Sequence, residues 1–194
     1  MKNQLIAITG GIGSGKSVVS EILRVMGYAV YDCDAEAKRI MDTDLSIISA
    51  IATDIAASAI RTDGSIDRAE LARIVFSDAE ALRRLNSIVH EAVRRHLSQW
   101  SATPTSAPMP VKFVETAILY QSGLDRMVDE VWDVTAPEEL RINRVMQRNG
   151  LSRHEVESRM AAQIYVPEHP HTAVRRIANG ETDALLPQIL HLLP

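Results

Sequence analysis

The sequence predicts an α/β fold of three layers, α/β/α, with a central parallel sheet, an inserted helical lobe and a small helical lid. Three observations carry this. A strand, a glycine-rich loop, a helix and a second strand follow one another between Leu5 and Tyr31. Short apolar runs return at residues 111–114 and 130–134, and the stretch before them, 35–100, reads as mostly helical. A strand–helix–strand unit forces its two strands to run parallel, so the later runs add to the same sheet.

The elements follow in order. Leu5-Ile6-Ala7-Ile8 is a short apolar run that ends in glycines, as a strand buried on both faces should. From 16 to 26, Val18, Val19, Ile22, Leu23 and Met26 recur with the spacing of one helical face, and Gly27 supplies the stop. Residues 29–31 form a second strand leading into Asp32-Cys33-Asp34. Helices are expected over 35–41 and 45–59, and Asp63-Gly64 turns the chain. Asp67 caps the next helix, which carries Leu71, Ile74 and Val75, with Glu70 at the third position of a capping box. A longer amphipathic helix over 80–97 bears Leu82, Leu85, Ile88, Val89 and Val93. Pro104, Pro108 and Pro110 mark 102–110 as a loop. After the strands at 111–114 and 130–134 come helices over 137–148, with Pro137 in the first turn, and 152–163, with Ser152 and Glu155 in a capping-box pattern. Pro167 and Pro170 break that pattern. Ile177 belongs to a last strand and 183–192 to a last helix. The expected organisation is a core of 1–34 and 111–194, a lobe of 35–100 and a lid of 148–170.

Composition narrows the function classes. The 194 residues are 46% hydrophobic and 24% charged, ordinary values for a soluble globular chain of one domain with an insertion. A formal charge of -4 argues against a general nucleic-acid coat and leaves room for a local basic pocket. Aromatics at 4% speak against stacking platforms for single strands. Cys33 is the one cysteine, which rules out an intrachain disulfide and a cysteine-rich zinc site. No run reaches the 18 or so apolar residues that span a bilayer, and the first residues lack a signal-peptide pattern. A cytoplasmic protein with no nucleic-acid or membrane partner is expected, a monomer with at most weak self-association.

The chemistry sits in Gly10-Gly11-Ile12-Gly13-Ser14-Gly15-Lys16-Ser17, which matches G-x-x-x-x-G-K-[ST] in full between a strand and a helix. Glycines let the chain curl until its N–H groups converge on phosphate oxygens, and the helix N-terminus adds its positive end. Lys16 can reach the β and γ phosphates, and Ser17 can place its hydroxyl on Mg²⁺. A nucleoside triphosphate site follows. No N-K-x-D or D-x-x-G stretch is present, so a guanine-reading switch protein is set aside and a small kinase remains. Asp32 and Asp34 end the second strand, at the edge of a parallel sheet where ligands bind. Two apart in an extended segment, they should share a face, one accepting a proton from an attacking hydroxyl and both holding metal-bound water. The bland alternative has Asp34 merely capping a helix that starts at Ala35. Cys33, between them, reads as a small buried hydrophobe.

These strings together, LIAITGGIGSGKS, YDCDAEAKRI, DGSIDRAELARIVFSDAEALRRLNSIVHEAVR and VWDVTAPEELRINRVMQRNGLSRHEVESRMAAQ, resemble the dephospho-coenzyme A kinase family from Leu5 to about Gly180. The resemblance implies a P-loop kinase core with a helical CoA-binding lobe and a lid. It implies transfer of the ATP γ-phosphoryl, with Mg²⁺, to the 3'-hydroxyl of dephospho-CoA, the last step of CoA synthesis. It puts the D-x-D pair on Asp32 and Asp34, with Asp34 the base. Thr9, Arg68, His90 and Arg94 fall at acceptor positions, and Arg144 and Arg148 at lid arginines that meet ATP, Arg144 with a catalytic share beside Lys16. Arg159 and Gln163 follow further along. The chain departs from the family pattern at Glu91, at Ala117-Ile118-Leu119-Tyr120-Gln121, at His169 and at Val174, while Glu115 keeps the usual acid. Two other readings stay open: a kinase of another small hydroxylated acceptor, such as a nucleoside monophosphate, and a non-catalytic ATP-binding module.

Overall fold

In the computed structural model, which describes residues 3–105, 109–163 and 173–194, the apolar runs pair into one parallel sheet. Its strands are β1 (Gln4–Thr9), β2 (Ala29–Asp32), β3 (Val111–Glu115), β4 (Glu130–Thr135) and β5 (Val174–Ala178), in the order β2-β3-β1-β4-β5. β1 is central and buried from Leu5 to Thr9, which is why its apolar residues run without polar alternation. The register sets Asp32 beside Glu115 and Thr9 beside Asp133. Polar groups therefore gather at the carboxyl ends of four adjacent strands, the edge where open α/β sheets take ligands.

Three aromatics pack together in the sheet core. Phe113 meets Tyr28 edge-on at 5.5 Å and Trp132 at 5.1 Å between ring centroids. Trp132 is fully buried, and its indole N–H donates to Glu130 Oε1 at 2.8 Å, which removes the cost of an unpaired donor. Ile6, Ile8, Val19, Leu23, Ile177 and Ile189 complete this cluster. It joins the sheet to α1 (Lys16–Val25) and α8 (Leu185–Leu192), which touch each other. A second cluster of Ile142, Val145 and Val156 packs α6 (Glu138–Asn149) against α7 (Arg153–Ala162) and reaches Ile12 in the glycine loop. The Ser152–Glu155 capping box is formed. Pro137 stands one place earlier than expected, at the N-cap of α6, and Asp183 turns the chain before α8 by accepting from Gly180 N–H at 2.7 Å.

The chain divides into two compact units, Met1–Asp32 with Ser101–Pro194, and Cys33–Trp100. The second is helical: α2 (Cys33–Thr43), α3 (Leu45–Asp54), a 3₁₀ turn Ala57–Ala59, α4 (Arg68–Ser77) and most of α5 (Ala79–Ala102). Ile40, Ile47, Ile51, Leu71, Val75, Val93 and Leu97 form its buried interior. The helix expected over 45–59 ends at Asp54, because Thr53 and Asp54 favour helices weakly and the chain tightens into the 3₁₀ turn. Asp67 caps α4 through Ala69 N–H and Glu70 N–H, both at 3.1 Å. The Glu70 carboxylate turns to Arg73 at 2.8 Å, so the reciprocal half of the expected box goes to an ion pair. Among the described residues, no helix is long and apolar enough to cross a membrane.

Candidate active site

The glycine loop curls between β1 and α1 with Gly13 and Gly15 in the left-handed region, at φ +80° and +96°. Their lack of a side chain is needed twice over. A Cβ on Gly15 would run into the Asn179 side-chain amide, and one on Gly13 into the Arg141 carbonyl. A Cβ on Gly11 would meet only the Arg141 guanidinium, the mobile end of a long side chain. The loop is thus pressed by α6 and by the residue that follows β5.

Hydrogen bonds fasten the loop there. Asn179, buried just past β5, donates through Nδ2 to the Ser14 carbonyl at 2.7 Å, and its own carbonyl accepts from Arg144 Nη1 at 3.1 Å. Arg141 Nε donates to the Ile12 carbonyl at 2.8 Å. Gln163 Oε1 accepts from Ile12 N–H at 2.9 Å. Lys16 folds back, its ammonium donating to the carbonyls of Gly10 at 2.9 Å and Gly11 at 3.3 Å. The hydroxyls of Thr9 and Ser14 are buried and without a hydrogen-bond partner among the described residues.

The charge of this ammonium acts on two carboxyl groups. Burial pushes the Glu115 carboxyl above its ordinary range, with the Asp32 charge adding to the rise; the Ser20 hydroxyl, Arg24 and Lys16 pull the other way. Burial also raises Asp133, against the opposing charges of Arg176, Lys16 and Arg141. Lys16 therefore acts on a half-buried acid at the end of β3 and another near the end of β4. Beside them, Gly11, Ser14, Thr135, Glu138, Arg141 and Gln163 line a cavity of about 500 Å³.

The sequence-predicted residues fall into two groups. Gly11, Ile12, Gly13, Ser14, Gly15, Lys16, Ser17, Thr9, Asp32, Arg144 and Arg148 belong to the sheet unit; Asp34, Arg68, His90 and Arg94 belong to the helical unit. Ser17 lies in the first turn of α1 and is exposed, whereas Thr9 is 1% exposed. Arg148 is exposed and donates to its neighbour Asn149 at 2.9 Å. Asp32 and Asp34 do not sit two apart in extended chain. α2 begins at Cys33, so Asp32 closes the strand and Asp34 lies exposed in the first helical turn. Asp34 is inside the helix and does not cap it; an acidic first turn suits the positive helix end and explains why α2 starts before Ala35. Cys33 is buried, as a small hydrophobe would be. Within the helical unit, Arg68 grips α2, donating to Asp42 at 2.8 Å and to the Lys38 carbonyl at 3.3 Å. His90 and Arg94 stand one turn apart on α5, and burial holds the imidazole pKa below its usual value, with the Arg94 charge pushing the same way. Pro167, Glu168, His169 and Pro170 lie outside the described residues.

The profile of the dephospho-CoA kinase family matches residues 4–184. The chain belongs to this family. It is accordingly an ATP-using kinase of dephospho-CoA, catalysing the last step of CoA biosynthesis. Dephospho-CoA kinase of Symbiobacterium thermophilum is 38% identical over 96% of this chain and 78% of its own length. That of Carboxydothermus hydrogenoformans is 36% identical over 97% and 92%. A crystal structure from Thermus thermophilus, at 35% identity, superposes with a TM-score of 0.74, covering 98% of this chain and 94% of that one. Dephospho-CoA kinase from Campylobacter jejuni, at 23% identity and covering 97% and 94%, shares the fold with a TM-score of 0.60.

Sequence reasoning missed Arg141, Asn179 and Asp133. Arg141 was within reach, since it lies three residues before Arg144 and so on the same helical face. Asn179-Gly180 after an apolar run marks a strand end, but nothing local shows that the amide turns to Ser14. Asp133 reads as one polar residue in a strand, and only the register brings it to Thr9.

Proposed function

We propose that the loop from Gly11 to Ser17 holds the β and γ phosphates of ATP, and that the helical unit supplies the acceptor side for dephospho-CoA. The observation that carries this is the loop itself: fastened at Ile12 and Ser14, with the Lys16 ammonium folded over it. In the proposed reaction, Asp34 accepts the proton of the 3'-hydroxyl as its oxygen bonds to the γ-phosphorus. The bond from that phosphorus to the bridging oxygen breaks, and ADP leaves. Phosphoryl transfer of this kind asks a protein chiefly for positioning and for cations around the spreading charge. Lys16, Arg144 and Arg148 are assigned that role, with 148–170 acting as the lid; Thr9, Asp32, Arg68, His90 and Arg94 are assigned to the acceptor.

Mg²⁺ suits the donor set. Among the described residues no three Asp, Glu, His or Cys side chains could cage a metal, and Mg²⁺ is a cation held by one or two protein groups, water and substrate phosphates. The Ser17 hydroxyl would hold it, with Asp32 and Glu115 as carboxylates for its water shell. When bound, it neutralises charge on the phosphate oxygens. A cytoplasmic, monomeric enzyme completes the reading. The test is ADP release with ATP present, with and without dephospho-CoA. Release that depends on the acceptor, and product carrying a 3'-phosphate, is the expected outcome; nucleoside monophosphates serving better than dephospho-CoA would overturn it.

A further inference from the structure

One side chain binds three segments that are far apart in sequence. Gln163 ends α7, and its amide is used in both directions. Oε1 accepts from Ile12 N–H at 2.9 Å; Nε2 donates to the Ala117 carbonyl at 2.7 Å and approaches the Gly10 carbonyl at 3.4 Å. The partners fix the orientation, because a flipped amide would set oxygen against two carbonyls and N–H₂ against an N–H. The Ile12 peptide is then held from both sides, its N–H by Gln163 and its carbonyl by Arg141. None of these bonds draws on the N–H groups of Gly13, Gly15, Lys16 or Ser17, the groups a phosphate needs.

The geometry points to Gln163 as a positioning residue: it pre-sets the phosphate loop and ties it to the Ala117 segment, so that nucleotide affinity depends on a donor at Nε2. This rests on the loop being the ATP site and adds a requirement on how that site is kept open. Ala117 begins the stretch Ala117–Gln121, where the chain departs from its family's pattern, and there the contact falls on a backbone carbonyl. It needs no particular side chain at 117. Holding a loop in its binding shape lowers the ordering cost of the ligand.

The decisive variant is Gln163→Glu, matched in size to the amide. Ionised, it keeps an acceptor for Ile12 N–H and opposes the Ala117 carbonyl with a second oxygen; protonated, it regains an O–H donor at the same place. Binding of a fluorescent ATP analogue would be measured for wild type, Gln163→Glu and Gln163→Met between about pH 8 and about pH 4, a span that crosses the ordinary glutamate pKa of about 4.3, with melting curves on each sample. The expected result for Gln163→Glu is affinity about tenfold or more below wild type at the upper pH, as lost and opposed hydrogen bonds imply. That deficit should shrink as pH falls. Gln163→Met should be weak at every pH. Wild-type affinity in Gln163→Glu, tighter binding in either variant, or a deficit in Gln163→Glu that does not change with pH would each overturn the proposal. No acceptor is needed, so the outcome is separate from that of the dephospho-CoA assay.

Discussion

The side-chain amide of Asn179 holds the Ser14 carbonyl at 2.7 Å, inside the space that a side chain on Gly15 would need. The last glycine of the motif and the residue that follows β5 are therefore two halves of one packing arrangement. Asn179→Asp puts a carboxylate against that carbonyl in a buried place. Its expected cost is about 1–3 kcal/mol of folding stability from the opposed acceptors, with the Kd for ATP raised about tenfold. Gly15→Ala meets both a left-handed backbone and the Asn179 amide, and is expected to lose ATP binding. Titration calorimetry with ATP and urea unfolding check both; normal ATP affinity in Asn179→Asp would detach Asn179 from the loop.

How much of this could be read in the sequence depends on how local each feature is. The loop was legible because eight consecutive residues and their two flanking elements carry the whole signal. Four strands were legible as apolar runs, and the fifth from Ile177 alone. Asp34 was misplaced by a local competition, since an acidic first turn extended α2 back to Cys33. Asn179 and Gln163 act across 165 and 151 residues of chain, and no spacing rule spans such distances. Glu115 and Asp133 acquire their character from burial and from Lys16, neither of which exists until the strands are in register.

The arginines of α6 are expected to rank by what they touch. Arg141 Nε holds the Ile12 carbonyl, Arg144 braces Asn179, and Arg148 is exposed beside Asn149. Arg141→Lys keeps the charge and loses the planar fork, so kcat/KM for ATP should fall about tenfold or more. Arg144→Lys should fall less, and Arg148→Lys least. Steady-state kinetics on the three variants decide the order; a larger loss at Arg148 than at Arg141 would mean that the guanidinium fork of Arg148 at the phosphates matters more than the brace on the loop.

His90 gives a pH dependence whose sign can be worked out. Burial and Arg94 lower its pKa from the ordinary 6.5, so the folded state holds the imidazole neutral where the unfolded chain takes up a proton. The associated stability is present above about pH 6.5 and is lost as pH falls through the lowered value. Urea unfolding near pH 7.5 and near pH 5.5 should show wild type weakening on acidification. His90→Gln should weaken less over the same interval, and Arg94→Gln should lie between, because it removes the repulsion and leaves the burial. An unchanged pH slope in His90→Gln would assign the acid sensitivity elsewhere.

Asp34 is the sharpest test of the proposed chemistry. Asparagine preserves its size and a hydrogen-bonding oxygen in the first turn of α2, and removes the charge together with the capacity to take a proton. If Asp34 is the base, Asp34→Asn should lower kcat by about 10²–10⁴-fold, the usual worth of general base catalysis, while ATP affinity stays within about twofold of wild type. Because an intact acceptor contact would survive the change, KM for dephospho-CoA should move far less than kcat. Single-turnover measurements with ATP prebound would isolate the transfer step from product release. A kcat near that of wild type would take Asp34 out of the proton path. A rise confined to KM for dephospho-CoA would recast it as an acceptor-binding group, since an interaction lost equally from ground and transition states leaves kcat unchanged.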